Sequence, residues 1–383
     1  MKKGFSLKDF KNAQERRKFL EGALEVELKA ISNTSFSEDM VLGRNIENLI
    51  GSIQVPLGVA GPLVIKGPRS EKYFIPLATT EGALVASISR GCKAVTESGS
   101  ATVIVENVGI TRGPVFKTNG VLHSTQVKKW VEKNFAQIAQ VTEKTSSHLK
   151  LLKIDCAIVG KNLFVRFQYD TGDAMGMNMA TIATEQAVEL IERETKAKCI
   201  SLAGNFDIDK KPAWLNFING RGKRAWAEVI LKKEIVKQVL KTTPEKIAEV
   251  VYRKNYLGSI MSGSLGFNAH FANILAAIFI ATGQDPAHVV EGSLGVTTAE
   301  VLENGDLYFS VYLPSLVVGT VGGGTKLPTQ QEALRIMGVN NAIEYSRVVA
   351  AAVLSGELSL LASLAQGTLA KAHQKLGRKG QQK

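Results

Sequence analysis

Glu81 stands in Thr79-Thr80-Glu81-Gly82, among small residues and just ahead of the apolar run Ala83-Leu84-Val85-Ala86. A lone glutamate there is usually a surface or capping residue. Burial would raise its pKa and let it donate a proton near neutral pH. Asp209-Lys210-Lys211-Pro212 sets opposite charges side by side on a loop, a pattern that is a solvated turn unless tertiary partners fix it. Gly283-Gln284-Asp285-Pro286 reads as a helix end with Asp285 as a simple cap. His373 lies in a basic stretch near the C-terminus, suited to a mobile tail. Asp173-Ala174-Met175-Gly176-Met177-Asn178-Met179 begins a helix with Asp173 as its expected N-cap, so a helix start would face a polar or anionic ligand. Its three methionines cannot share one helical face, which argues against plain core filling.

Two phosphate signatures fail on context. Gly220-Arg221-Gly222-Lys223-Arg224-Ala225 fits GxGxxA, but Asn216-Phe217-Ile218 before it is too short for the strand that a dinucleotide fingerprint needs. Gly319-Thr320-Val321-Gly322-Gly323-Gly324-Thr325-Lys326 places Thr before Lys and so is no P-loop. What remains is a glycine-rich loop whose backbone can approach an anion closely, or a plain tight loop. Cys92, Cys156 and Cys199 form no CxxC pair and have no activating neighbours, so they read as reduced, non-catalytic thiols.

These residues must be positioned by mixed elements. An amphipathic helix is expected over 12–31, and a Gly/Pro-rich rim over 51–62. The texture changes from 114 to about 201. Val115-Phe116 starts a strand, 126–138 reads as a helix, 163–169 alternates like a strand, 170–173 is a turn, and 174–195 reads as a long helix. Beyond it, Thr243-Pro244 opens a helix. Asn304-Gly305 joins two strands at 296–303 and 306–313. A helix rich in Ala and Leu spans about 341–374.

The chain has 383 residues, 45% of them hydrophobic, enough for a large core and two or three domains. No run of 18 uncharged apolar residues is present, because Glu357 interrupts 348–370, and no secretory signal is read. The net charge of +12 comes partly from the two ends. Without an aromatic-interleaved basic stripe or a nucleic-acid motif, it points to phosphate-rich small ligands.

Taken together, the segments resemble one family, hydroxymethylglutaryl-CoA reductase, over about 47–379. The resemblance rests on ENLIGSIQVPLGVAGPL, ATTEGALVASISRGCKA, ITRGP, FVRFQYDTGDAMGMNM, GNFDIDKKPAWLNFINGRGK, NAHFANILAAIFIATGQD, LPSLVVGTVGGGT and GELSLLASLAQGTLAKAH, in matching order. The DAMGMNM and GTVGGGT forms are similar to the class I branch that includes eukaryotic and archaeal enzymes. The resemblance implies an α+β or α/β multidomain fold. A large mixed α/β catalytic domain (46–113 and 202–367) is interrupted by a small ferredoxin-like cofactor-binding domain (114–201). A small N-terminal helical region (1–45) precedes it, and a C-terminal tail (368–383) carries the catalytic histidine.

It further implies reduction of HMG-CoA to mevalonate and free CoA with two NADPH, by two hydride transfers through a hemithioacetal and mevaldehyde, in isoprenoid biosynthesis. Glu81, Lys210, Asp285 and His373 match the catalytic positions. Lys210 would stabilise an oxyanion, His373 would protonate the CoA thiolate, and Glu81 would protonate the aldehyde oxygen, with Asp285 raising the Glu81 pKa. Arg112, Asn205, Asp209, Lys211, Lys254, His270, Asn273, Leu360 and Leu364 match substrate positions. Ser87, Arg90, Lys93 and Lys241 match CoA contacts. Ser146, Ser147, Asp173, Ala174, Met175, Gly176, Met177, Asn178, Met179, Gly322, Gly323, Gly324 and Thr325 match the cofactor site, and no metal is implied. The expected assembly is a homodimer, with pairing of dimers into tetramers open, and with no nucleic-acid or membrane partner. Lacking the family's N-terminal anchor, the chain is expected to be soluble and cytoplasmic.

Some positions depart from the family pattern. No Ser or Thr follows His373, so phosphorylation control there is not expected. Ser147 replaces an arginine near the cofactor's 2′-phosphate, which weakens NADPH over NADH unless Lys150 or Arg378 compensates. Ala203 replaces a substrate-binding serine. The alternatives are an NAD-dependent mevalonate oxidation and a catalytically silent basic scaffold.

Overall fold

A computed structural model describes residues 6–67 and 71–367, so His373 and Arg378 lie outside the described residues. The described residues form ten strands. β1 (Leu57–Ile65) and β2 (Glu71–Ala78) make an antiparallel hairpin. The other eight, β3 (Thr102–Arg112), β4 (Val115–Lys117), β5 (Lys150–Val159), β6 (Asn162–Asp170), β7 (Lys198–Ser201), β8 (Gly222–Leu231), β9 (Val296–Val301) and β10 (Leu307–Leu316), form one sheet. Its order is β7-β4-β6-β3-β8-β10-β9, with β5 paired to β6.

β3 is the hinge of this architecture. Its residues 102–109 pair with β8, while Ile110–Arg112 pair with β6. The segment between β4 and β7 runs strand, two helices (Val121–Lys133 and Phe135–Glu143), two strands, a helix (Met177–Thr195), and strand. Its strand order β7-β4-β6-β5 is the ferredoxin-like split β-α-β arrangement. It has its own apolar core, with Phe116, Val131, Ile138, Val165, Phe167 and Ile191 at its centre.

The larger core surrounds the helix Ala342–Ala365, which packs on the helices Leu84–Glu97 and Phe271–Thr282 and on β8. It is long and apolar enough to cross a membrane, but here it is the mostly buried centre of a folded core. Gly91 lets it approach Leu84–Glu97, because a Cβ there would meet the Ser355 carbonyl oxygen at 1.8 Å. β8 shows why the sheet has two faces: Lys223, Ala225, Ala227, Val229 and Leu231 alternate inward with a period of two.

Several elements differ from the sequence expectation in length. The first helix is Ala13–Leu24, capped by Asn12, and stops where Glu25 turns left-handed. The helix expected over 126–138 is two helices broken at Asn134. The long one expected from 174 starts at Met177. Thr243 caps Pro244–Val250 through the Lys246 amide, and Gly305, with φ +83°, turns the β9–β10 hairpin.

Candidate active site

The loop from Asn205 to Lys211 is held in a strained conformation. Asn205, Ile208 and Lys210 all have left-handed backbones, with φ of +64°, +53° and +55°. Non-glycine residues rarely adopt this geometry, which costs about 1–2 kcal/mol each. Tertiary bonds hold it there. Thr111 Oγ1 donates to the Asp207 carbonyl (2.7 Å), Asn216 Nδ2 donates to the Ile208 carbonyl (2.9 Å), and the Lys210 amide donates to Glu291 (3.3 Å).

The result is a fixed ammonium. Lys210 Nζ lies 2.7 Å from Asp285 Oδ2. Asp285 also caps the short turn Pro286–His288 by accepting from the Ala287 amide. The carboxylate that caps this turn is therefore the one that meets Lys210. Burial pushes its pKa up, but the Lys210 bond, the Ala287 amide and the charge of His288 outweigh it, and the net direction is down.

Behind this pair lies a cluster that sequence reading missed. Arg221, fully buried, reaches Glu291 (2.6 Å), Asp209 (3.0 Å) and Thr111 (2.9 Å). His288 Nδ1 lies 2.8 Å from Glu291. Arg221 sits in the Gly220–Ala225 stretch already rejected as a dinucleotide fingerprint. That stretch follows a helix (Trp214–Asn219) and opens β8 instead of a helix. Asp209, His288 and Glu291 have the types and spacing of metal ligands. The Arg221 guanidinium, however, contacts both carboxylates, so a cation already occupies the position that a dication would need. Nearby, Arg112 is bound to Asp207 (3.1 Å) and Thr181 (2.6 Å).

A cleft of about 1430 Å³ opens next to the loop. Glu81, Ser87, Arg90, Lys254, His270, Asn273 and Leu360 line it, and Pro212 joins it to the charged loop. Glu81 is exposed and accepts from Asn273 Nδ2 at 2.9 Å. Among the described residues it is bonded to neither Asp285 nor Lys210, so the expected effect of Asp285 on the Glu81 pKa has no contact within one chain. Arg90 is tied to the Ser359 carbonyl and the Ser363 hydroxyl, both at 2.5 Å. Burial lowers its pKa. His270 Nε2 contacts the Gly356 carbonyl (2.9 Å), and its amide donates to the buried Glu357 (2.6 Å).

Other expected contacts fall outside this cleft. Lys93 pairs with Glu97 along its own helix (3.6 Å), Lys211 bonds the Asp209 carbonyl, and Asn205, Lys241 and Leu364 are not lining residues. Exposed Ala203 accepts from Ser201 and lies outside the cleft too.

The two segments assigned to a cofactor meet. The Asp173 carbonyl accepts from the Thr320 amide (2.8 Å), and Ala174 bridges to Val321. Asp173 does not cap its own helix. Gly176 occupies that position, and the Asp173 carboxylate accepts from the Ala342 amide (2.9 Å) at the start of the core helix. All three methionines of the segment pack, partly buried, against the smaller core, against the expectation from helical periodicity, and Met175 precedes the helix and is free of that periodicity. Gly319 has to be glycine, since a Cβ would meet the Met175 nitrogen at 2.4 Å. Gly322 and Gly323, with φ of +83° and +53°, have open space beside them, a face that a ligand can approach. Thr325 turns inward and bonds the Gly322 carbonyl. Ser146 touches the Met179 sulfur (3.6 Å), and Ser147 and Lys150 are exposed. The thiols of Cys92 and Cys156 are pushed up to about 12 by burial, and that of Cys199 is also raised, so none is a ready nucleophile.

The family model described as hydroxymethylglutaryl-coenzyme A reductase matches residues 12–378. The 3-hydroxy-3-methylglutaryl-coenzyme A reductase of Methanocaldococcus jannaschii is 54% identical over 373 residues, covering 95% of this chain and 92% of its own. That of Pyrococcus abyssi is 51% identical, again over 95% and 92%. Reductase 2 of Dictyostelium discoideum is 46% identical over 90% of this chain and 68% of its own. Among solved structures, the class II reductase of Streptococcus pneumoniae bound to NADPH superposes with a TM-score of 0.71. It is 18% identical and covers 92% of this chain and 97% of that one. That last likeness is one of fold.

Proposed function

The chain belongs to the hydroxymethylglutaryl-coenzyme A reductase family, oxidoreductases that reduce HMG-CoA to mevalonate, and on that premise we propose how its own residues carry the reaction and with which cofactor. The carrying observation is the Lys210–Asp285 pair at 2.7 Å on a loop strained into place beside a thioester-sized cleft. Lys210 stabilises the oxyanion formed at the thioester carbon. A charged donor fixed before reaction needs no reorganisation at the moment charge develops. Asp285, ionised, keeps that ammonium charged and aimed. Glu81, oriented by Asn273, supplies the proton to the aldehyde oxygen in the second reduction. His373 protonates the departing CoA thiolate. Ser87 and Arg90 hold the CoA arm along the cleft, and Lys254 meets the substrate's carboxylate and hydroxyl end. Arg112 and Lys211 hold the substrate's carboxylate end.

A reduced nicotinamide dinucleotide would supply a single hydride, so two molecules of it would be used in succession, one for each half of the reaction. The Asp173–Met179 turn and the Gly322–Thr325 loop, joined by backbone bonds and open at Gly322 and Gly323, fit its diphosphate. We assign NADPH as the cofactor, in keeping with the fold neighbour that binds it. Ser147, where the family pattern has arginine, favours a second reading in which NADH is used and mevalonate oxidation runs. The lack of a bond between Glu81 and either Lys210 or Asp285 among the described residues supports a homodimer in which two copies complete each site.

The test is to mix purified protein with HMG-CoA and follow NADPH and NADH in parallel. Two cofactors oxidised per CoA released, faster with NADPH, is the expected result. Faster use of NADH establishes the second reading. No oxidation by folded protein overturns the residue assignments.

A further inference from the structure

We propose that His288 is a positioning residue for this reaction, holding Asp285, and through it Lys210, from the buried side of the site. The inference rests on the roles given above to Lys210 and Asp285. His288 is fully buried on the turn Pro286–His288 that Asp285 itself caps. Its Nδ1 lies 2.8 Å from Glu291 Oε1, and since a carboxylate only accepts, this nitrogen carries a proton. Its Nε2 is buried with no hydrogen-bond partner among the described residues, and Asp285 Oδ2 lies 3.8 Å from it. A polar atom so placed is costly unless it does something. Asp285 Oδ2 is the same oxygen that receives Lys210 Nζ.

The charges around the imidazole support the assignment. Asp209, Asp285 and Glu291 bring three carboxylates, and Lys210 and Arg221 bring two cations. Two cations against three carboxylates leave the cluster one positive charge short where the imidazole Nε2 faces Asp285 Oδ2. Glu291 is the anchor, because it also takes Arg221 and the Lys210 amide. The chain thus runs from Glu291 through His288 to Asp285 and on to the Lys210 ammonium. His288 itself is sealed from the cleft and touches no substrate.

The two imidazole nitrogens can be tested separately. His288→Asn retains a donor where Nδ1 meets Glu291 but cannot reach Asp285. His288→Gln places an amide nitrogen where Nε2 stands. The expected result is that H288N lowers kcat for HMG-CoA by as much as about 100-fold, the scale on which a misplaced catalytic group acts, and leaves KM within about twofold, while H288Q stays near wild type. A purely structural role of the Glu291 bond gives the reverse order and overturns the proposal. An activity-free reading uses brief acetic anhydride labelling with mass spectrometry of the Lys210 peptide. Asp285→Asn and H288N should both label Lys210 several times faster than wild type, and H288Q should not. If H288N labels like wild type while Asp285→Asn labels fast, the inference fails even in an active enzyme. If wild-type protein does not turn over HMG-CoA, the catalytic assignments fail, and the labelling still decides whether His288 holds Asp285.

Discussion

At the scale of single residues, Lys210 and Asp285 form an ion pair at 2.7 Å. Asp285 has its pKa depressed, so its folded-state charge persists below the pH at which an unfolded aspartate protonates. Its contribution to stability is complete above the unfolded value and is lost as pH falls through the lower folded value. Asp285→Asn should therefore flatten the acid side of the stability–pH curve, measured by thermal unfolding at several pH values. Glu81 has a different environment, exposed and held by Asn273. Glu81→Gln should lower kcat by about 10²–10⁴-fold, the range for a lost general acid, with the unfolding midpoint unchanged. A midpoint that drops with activity would mean that Glu81 is structural. The motif residues were legible through the family resemblance, since each one singly reads as a surface, turn or capping residue. Arg221, His288 and Glu291 were not, because a lone arginine among glycines and a histidine after an alanine carry no local signal.

At the scale of elements, the strained loop and the core helix set the geometry. The loop is held by Arg221, whose guanidinium compensates Asp209 and Glu291 in a fully buried place. Arg221→Met leaves two carboxylates without their cation and should destabilise the protein by about 3–5 kcal/mol, read as a fall in the chemical-denaturation midpoint. Gly91→Ala puts a methyl group into the Ser355 carbonyl at the helix crossing. It should cost at least about 1–3 kcal/mol, as overpacking does. Helix and strand types were readable from periodicity and turn residues, as in the β9–β10 hairpin, whereas β8 was not read as a strand. Boundaries were less so. The start at Met177 was missed because Asp173, a good capping residue by type, spends its carboxylate on the Ala342 amide of a distant helix.

At the scale of the whole molecule, the eight-stranded sheet runs through both cores by way of β3. The segments proposed to hold the cofactor and the charged loop are therefore tied to one framework. The described core helix ends at Ala365, before the segment that carries His373. Deleting residues 368–383 should leave thermal unfolding nearly unchanged and reduce turnover of the thioester. Normal turnover would remove His373 from the reaction.

The sequence by itself determined the chemistry available to this protein: a lysine, carboxylates and a histidine of the right types, glycine loops, and a mixed helix–strand plan with an inserted unit. Those follow from residue identity and short-range periodicity, which are local properties of a chain. Tertiary structure alone decided which charges meet. Asp209 and Arg221 lie 12 positions apart and Lys210 and Asp285 lie 75 apart. Their pairing depends on the loop conformation that Thr111, Asn216 and Glu291 impose. A left-handed lysine backbone is unfavourable in any short peptide, so no local pattern announces it. It exists only because contacts from distant segments outweigh its cost.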